Sequence, residues 1–218
     1  MKIVAAKKIL RANDQIAEEN RLRFGEAGVF CLNLVGSPGS GKTTLLEGLF
    51  PRLEGRLAPA VIEGDIAGSL DAERIDALRV PVVQINTDGA CHLDANMIAV
   101  AVDDADYGAV DLLVIENVGN LVCTAGFDLG EQLRVVVLSV PEGDDKLAKY
   151  PAIFQGSHAL VITKTDLLGH IRFDVDRVVA DMKRLAPEAP VFQVAALSGD
   201  GIPPLVDWLA EQCNAARG

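Results

Sequence analysis

The run Gly36-Ser37-Pro38-Gly39-Ser40-Gly41-Lys42-Thr43-Thr44 carries the clearest chemistry in the chain. It fits G-x-x-x-x-G-K-[ST], follows an apolar stretch and opens an amphipathic one. Gly36, Gly39 and Gly41 let backbone wrap round phosphate oxygens where a Cβ would clash. Ser37, Ser40 and Thr44 complete the loop. Its N–H groups, with the N-terminus of the next helix, supply partial positive charge. Lys42 is placed to reach β- and γ-phosphate oxygens, and the Thr43 hydroxyl to ligate magnesium.

A second pattern selects the base. Thr163-Lys164-Thr165-Asp166 is one residue away from N-K-x-D. The Asp166 carboxylate accepts hydrogen bonds from N1–H and the 2-amino group of guanine, and adenine offers neither donor. The stem of Lys164 can lie along the base plane. Thr in place of Asn at 163 is expected to lose a tie between this motif and the phosphate loop. Further on, Val194-Ala-Ala196-Leu197-Ser198-Gly199 is similar to the loop that offers a backbone N–H to guanine O6, so Ala196 and Leu197 are base contacts by position.

Two carboxylates close apolar runs on the ligand side of such a sheet: Asp65 in Glu63-Gly64-Asp65, and Glu116 in Glu116-Asn117-Val118-Gly119. Either one holds magnesium, directly or through water, or orients the attacking water. Their roles are not separable by pattern. Gly119 stands where a D-x-x-G element senses the γ-phosphate. No water-positioning Gln and no arginine finger is evident, so slow intrinsic hydrolysis is expected, with Lys42, Asp65, Glu116 and Gly119 as the catalytic set.

Cys91, His92 and Cys123 form the third constellation. Two thiolates and one imidazole suit zinc or nickel. Spacing alone is weak evidence, because these are not C-x-x-C pairs. Position strengthens it: Cys123 follows Gly119 by four residues, inside the stretch that should respond to the γ-phosphate. Three ligands leave room for water, Asp94 or a second subunit. Cys31 reads as core and Cys213 as incidental. His158 and His170 read as loop or strand-edge residues without partners.

These groups need a scaffold. Strand-like runs at 29–35, 60–63, 82–85, 111–115, 135–140, 159–162 and 191–194 alternate with amphipathic stretches at 43–53, 69–78, 95–102, 175–185 and 205–214. That alternation predicts an α/β fold: a single P-loop NTPase domain with a mainly parallel sheet and helices on both faces. A short N-terminal helix precedes it, with Ile9, Ile16 and Leu22 as its packing stripe and Gly25 and Gly28 ending it. The boundaries are residues 1–28 for the extension and 29–218 for the domain. Half of the residues are hydrophobic and the formal net charge is −11. Such a surface repels nucleic acid and anionic membranes, so phosphate must be held by a local device. Neither a signal peptide nor a membrane span is evident, and a reducing cytoplasm is expected.

Taken together, the motifs resemble the HypB family, the hydrogenase nickel-incorporation GTPases of the SIMIBI class. The similarity covers nearly the whole chain. It rests on Gly36–Thr44, Glu63-Gly-Asp65, Cys91-His-Leu-Asp-Ala95, Glu116-Asn-Val-Gly-Asn-Leu-Val-Cys123, Phe127-Asp-Leu-Gly-Glu131, Pro141-Glu-Gly-Asp-Asp-Lys146, Lys149-Tyr-Pro151 and Lys164-Thr-Asp166. The resemblance implies a GTP-dependent homodimer, with nickel or zinc held at the interface by Cys91, His92 and Cys123 and with Lys146 near the dimer contact. It implies GTP/GDP and Mg²⁺ as ligands. The implied partners are a HypA-type accessory protein and the precursor of a nickel–iron hydrogenase large subunit. No Cys or His precedes Cys31, so the N-terminal nickel store of some relatives is not expected, and Thr124 stands where relatives often have Pro. The competing readings are a urease-type nickel accessory GTPase, a small P-loop kinase, which would want an arginine-rich lid, and a nucleotide-regulated adaptor with structural thiols.

Overall fold

The computed structural model describes residues 5–104 and 109–217. All seven expected strands form: β1 Phe30–Gly36, β2 Pro59–Asp65, β3 Val82–Asn86, β4 Leu112–Glu116, β5 Leu133–Ser139, β6 Ala159–Thr163 and β7 Val191–Val194. They join in one sheet of order β3-β2-β4-β1-β5-β6-β7, and every pairing is parallel. β1, β4, β5 and β6 are buried along their whole length. That is why they read as continuous apolar runs rather than alternating ones.

Helices cover both faces. α2 (Lys42–Leu53), α3 (Leu70–Asp76) and α8 (Ile202–Ala215) pack Leu45, Leu49, Ile75 and Leu205 on one face, against Leu32, Leu34, Val114 and Val137. On the other face, α1 (Ala5–Glu26) and α4 (Ala95–Asp104) pack Phe24 and Ile98 over Cys31, Ile62 and Ile115. α5 (Lys146–Lys149), α6 (Pro151–Gln155) and α7 (Val175–Leu185) cover Val136, Leu138 and Ile162. α5 and α6 escaped the sequence reading because one turn is too short to show a 3.6-residue period. No helix among the described residues is long and apolar enough to cross a membrane.

The packing face of α1 differs from expectation. Leu22 is exposed and Ile16 only half-buried, and the side chain of Ile9 lies outside the described residues. Asn13, Ala17, Asn20 and Phe24 are buried instead. Asn13 accepts from the Ala95 N–H at 2.9 Å and donates to the Asp128 carbonyl at 2.8 Å. Asn20 donates to the carbonyls of Ala95 and Leu129 at 2.9 and 3.1 Å. The helix is held by amides that complete backbone groups below it, which an apolar-stripe search passes over.

β1 lies between β4 and β5, where the chain stops building one side of the sheet and begins the other. Crevices at the carboxyl ends of strands beside such a switch are where open α/β sheets bind ligands. The turn from β1 to α2 and the loops after β2, β4 and β6 all open there.

Candidate nucleotide and metal site

The β1–α2 turn builds the floor of a cleft. Gly41 precedes α2 with φ 90° and ψ 27°, a left-handed conformation that glycine adopts at no steric cost. α2 then starts directly at Lys42, so its first N–H groups point into the cleft. Lys42 and Thr43 are buried. The cleft, about 430 Å³, brings Gly39, Gly41, Lys42, Thr43 and Thr44 together with Asp65, Glu116, Gly119 and Lys164. Gly36 and Ser40 sit beneath the loop. A Cβ on Gly36 would come within 2.7 Å of both the Ser40 hydroxyl and the Val137 carbonyl.

Glu116 ends β4 at 3% exposure and accepts from the Thr43 hydroxyl at 2.7 Å through Oε1, while Oε2 is buried without a partner. Burial pushes its carboxyl up to about 7, against the opposing pull of Lys42 and Thr43. A hydroxyl and a partnerless buried carboxylate oxygen, side by side at the mouth of a phosphate loop, form a hard-oxygen donor set that fits magnesium. Asp65 is more committed than the sequence indicates. Its two oxygens accept from the backbone N–H groups of Ile66 at 2.6 Å and Gly68 at 2.9 Å, shaping the β2–α3 loop.

Glu63 and Arg74 line the cleft as well, and neither stands out in the sequence. Glu63 lies opposite Glu116 in the register of β2 and β4, 3% exposed, with Oε2 unpartnered. Burial first, and then the charge of Glu116, push its carboxyl up to about 8. The sequence signal was a carboxylate inside a run otherwise destined for full burial, and such a group always needs a partner. Arg74 also lines the cleft. It donates to the Thr44 hydroxyl at 2.8 Å and is paired with Glu47 and Asp71. On α3 it looked like one more solvent-facing charge.

Glu63 gives a testable consequence. The unfolded chain ionises this group near 4.5, but the folded chain holds the proton to about 8. Stability contributed by the neutral form is therefore present at low pH and lost as pH rises through that window. In magnesium- and nucleotide-free buffer, Glu63→Gln should melt above wild type at pH 9, by about 2–4 °C for each kcal/mol of relieved strain. The two curves should converge near pH 5. Equal melting temperatures at pH 9 would contradict a neutral buried Glu63.

The Thr163–Asp166 segment is tied to the phosphate loop. The Thr163 hydroxyl donates to the Ser40 carbonyl at 2.6 Å, and Lys164 Nζ donates to the Gly39 carbonyl at 2.7 Å. The expected loss from Thr at 163 does not occur, because its hydroxyl reaches the loop unaided. Lys164 sits at φ 57°, a left-handed conformation unusual for a non-glycine residue and retained here by that bond. Asp166 follows in a short turn and is exposed. Ala196 and Leu197 lie in the turn after β7, Leu197 being 92% exposed. Asp166, Ala196 and Leu197 are not among the residues that line the cleft. His158, expected to lack a partner, accepts from the Arg134 N–H at 3.0 Å.

The metal constellation converges. The ligand atoms of Cys91, His92 and Cys123 all lie within 4.8 Å of one another, the one such group among the described residues. The two sulfurs are 2.7 Å apart, and the Cys91 sulfur is 3.8 Å from His92 Nδ1. Its neighbour Cys91 raises the Cys123 thiol, while burial lowers His92 below its usual value against the opposing charge of Asp94. Phe127 stacks on His92 with ring centroids 3.9 Å apart. Asp94 does not join: its carboxylate caps α4 by accepting from the Met97 N–H at 2.8 Å. Cys31 and Cys213 are buried in the core.

Only Asn120, Leu121 and Val122 separate Gly119 in the cleft from Cys123 in the cluster. Gly119 lies against the phosphate loop so closely that a Cβ would meet the Pro38 nitrogen at 2.8 Å and its Cα at 2.9 Å. Cys123 opens the one-turn helix Cys123–Gly126, with the Thr124 hydroxyl donating to the Asn120 carbonyl at 2.6 Å.

Comparison with known proteins agrees with this architecture. Residues 30–193 match the CobW/HypB/UreG nucleotide-binding domain. The hydrogenase maturation factor HypB of Azotobacter vinelandii is 50% identical over 204 residues, covering 94% of this chain and 67% of the relative. The probable HypB of Methanocaldococcus jannaschii is 39% identical over 212 residues, covering 97% of this chain and 96% of the relative. The crystal structure of Helicobacter pylori HypB in complex with nickel superposes with a TM-score of 0.89 at 40% identity, covering 94% of this chain and 96% of that one. A family match over residues 30–193 and relatives this similar over nearly the whole chain show that the chain belongs to the HypB family of CobW/HypB/UreG nucleotide-binding domains.

Proposed function

We propose that the chain is a GTP-hydrolysing metallochaperone that carries nickel, or zinc, and assists nickel insertion into a nickel–iron hydrogenase large-subunit precursor. The observation that carries the reading is how little chain separates the end of β4 from the cluster. Its end places Glu116 in the cleft, and seven residues later Cys123 joins His92 and Cys91. One short segment therefore belongs to both sites.

In this reading Lys42 and the loop N–H groups neutralise the β- and γ-phosphates. Thr43 and Glu116 hold Mg²⁺, which supplies charge neutralisation for the departing phosphate. Asp65 orients the attacking water or the magnesium shell. Water adds to the γ-phosphorus as the bond to the β-phosphate oxygen breaks, giving GDP and phosphate. Asp166 reads the guanine edge, with the Ala196 and Leu197 backbone at O6. The Gly119 N–H meets the γ-phosphate, so its loss frees 117–123. Cys91, His92 and Cys123 hold the metal cargo, and their incomplete shell invites a ligand from a second copy in a GTP-dependent homodimer. A HypA-type protein and the hydrogenase precursor are the partners from which metal comes and to which it goes.

The test is hydrolysis by the purified chain with Mg²⁺. GTP should give GDP and free phosphate at roughly 10⁻⁴–10⁻² per second, the range of P-loop GTPases acting without a partner. Equal turnover of ATP, or phosphate recovered on a small acceptor, would overturn the reading in favour of a kinase.

A further inference from the structure

The two asparagines that flank Gly119 make hydrogen bonds that neither phosphate nor metal chemistry requires. Asn117 is 2% exposed. Its backbone N–H donates to the Leu34 carbonyl of β1 at 3.0 Å. It lines the cleft, and its side-chain Oδ1 accepts from the backbone N–H of Leu93, next to His92, at 3.2 Å. Asn120 donates its backbone N–H to the Gly36 carbonyl at 3.0 Å. Its Oδ1 accepts from the backbone N–H groups of Val122 at 2.7 Å and Cys123 at 3.0 Å. Each asparagine is thus rooted by its backbone in the strand that feeds the phosphate loop, and each reaches by its side chain to one arm of the cluster.

The arms are braced from behind. Asn117 Nδ2 donates to Asn33 Oδ1 at 3.2 Å, and Asn33 donates to Glu131 at 3.1 Å. Glu131 pairs with Arg134 at 2.6 Å, and Arg134 Nη2 donates to the carbonyl of Phe127, the ring stacked on His92. Leu93, fully buried, packs so tightly on β2 that a Cβ at Gly64 would lie 2.7 Å from it. His92 is therefore flanked by Leu93, whose backbone N–H Asn117 holds, and by the ring of Phe127, whose backbone carbonyl Arg134 holds. A buried, fully bonded network has discrete arrangements rather than a continuous range, so a shift at its root is passed on instead of absorbed.

We propose that Asn117 and Asn120 are the positioning residues that transmit the nucleotide state to the metal cluster, Asn117 steering the Cys91–His92 arm and Asn120 the Cys123 arm. The proposal rests on the reading above, that cleft and cluster serve one cycle. When Gly119 moves with the γ-phosphate, both asparagines move with it. The spread between the arms then changes, and thiolate–metal distances tolerate only tenths of an ångström. A merely structural role would lower stability in both nucleotide states alike and leave their metal affinities in the same ratio.

The test titrates nickel into the full chain with GDP and with a non-hydrolysable GTP analogue, for wild type, Asn117→Ala, Asn120→Ala and the double variant. Coupling in wild type is read as the ratio of the two nickel dissociation constants, expected within about 5–150-fold. Each single variant should move the ratio toward 1, and the double variant should bring it within twofold of 1. A wild-type ratio retained in both single variants overturns the proposal while leaving the chaperone reading intact. A ratio of 1 in wild type itself overturns both. Wild-type amide hydrogen exchange covers the case of variants that do not fold. Protection of the Leu93 and Cys123 amides should differ at least tenfold between the two nucleotide states, and equal protection at both overturns the proposal.

Discussion

Asp166→Asn should weaken GTP binding by about 100-fold and raise affinity for xanthosine triphosphate. The Asp166 carboxylate accepts from guanine N1–H and from the 2-amino group. Each such charge-assisted bond is worth about 1.5–3 kcal/mol, with the lower figure suited to an exposed carboxylate. Asp166 is exposed, so water can solvate it when the wrong base is present, and discrimination falls to that lower end. An asparagine keeps one acceptor but presents a donor, which repels the 2-amino group and matches the 2-oxo group of xanthine. Fluorescent-nucleotide competition measures both affinities. An unchanged preference for GTP in the variant would mean that the base is read elsewhere, and the Thr163 and Lys164 ties to the phosphate loop would then be structural only.

The Cys91→Ala/Cys123→Ala double variant should lose nickel affinity by at least about 100-fold, the upper end of what removal of a mere outer-shell partner costs. Two of three converging donors disappear, and the remaining imidazole is a common but weak single ligand. GTP affinity in metal-free buffer should change little, because neither sulfur lines the cleft. A pH dependence accompanies the loss. The Cys123 thiol is raised by its neighbour Cys91, so metal must displace protons held more firmly than usual. Nickel affinity of wild type should therefore rise with pH across the range below the thiol's ordinary value near 9, and the double variant should lack that slope. Stoichiometric nickel in the double variant, or a flat profile in wild type, would remove these sulfurs from the site.

The sequence displayed the scaffold well because parallel strands buried on both faces leave continuous apolar runs, as in Leu112–Ile115 and Val135–Leu138. It displayed the phosphate loop because glycine spacing is itself the chemistry. It placed Cys91, His92 and Cys123 in the right chain segments, although spacing alone could not bring 91 and 123 together. That convergence depends on β3 and β4 ending on the same side of the sheet with β2 between them. What stayed hidden were polar groups whose meaning lies in a partner far along the chain. Asn13 and Asn20 anchor α1 through residues 75 to 115 positions away. Glu63 acquires its character from burial in the sheet and then from Glu116 across it. Thr163 replaces a missing amide through one hydroxyl. In each case the residue type is legible and the partner is not.

Nickel K-edge absorption on the wild-type chain, recorded with GDP and with a GTP analogue at equal metal loading, probes the shared segment most directly. A change in sulfur–nickel distance or ligand number between the two nucleotides is the expected result. Identical spectra, with self-association also unchanged, would show that the γ-phosphate has no purchase on the cluster.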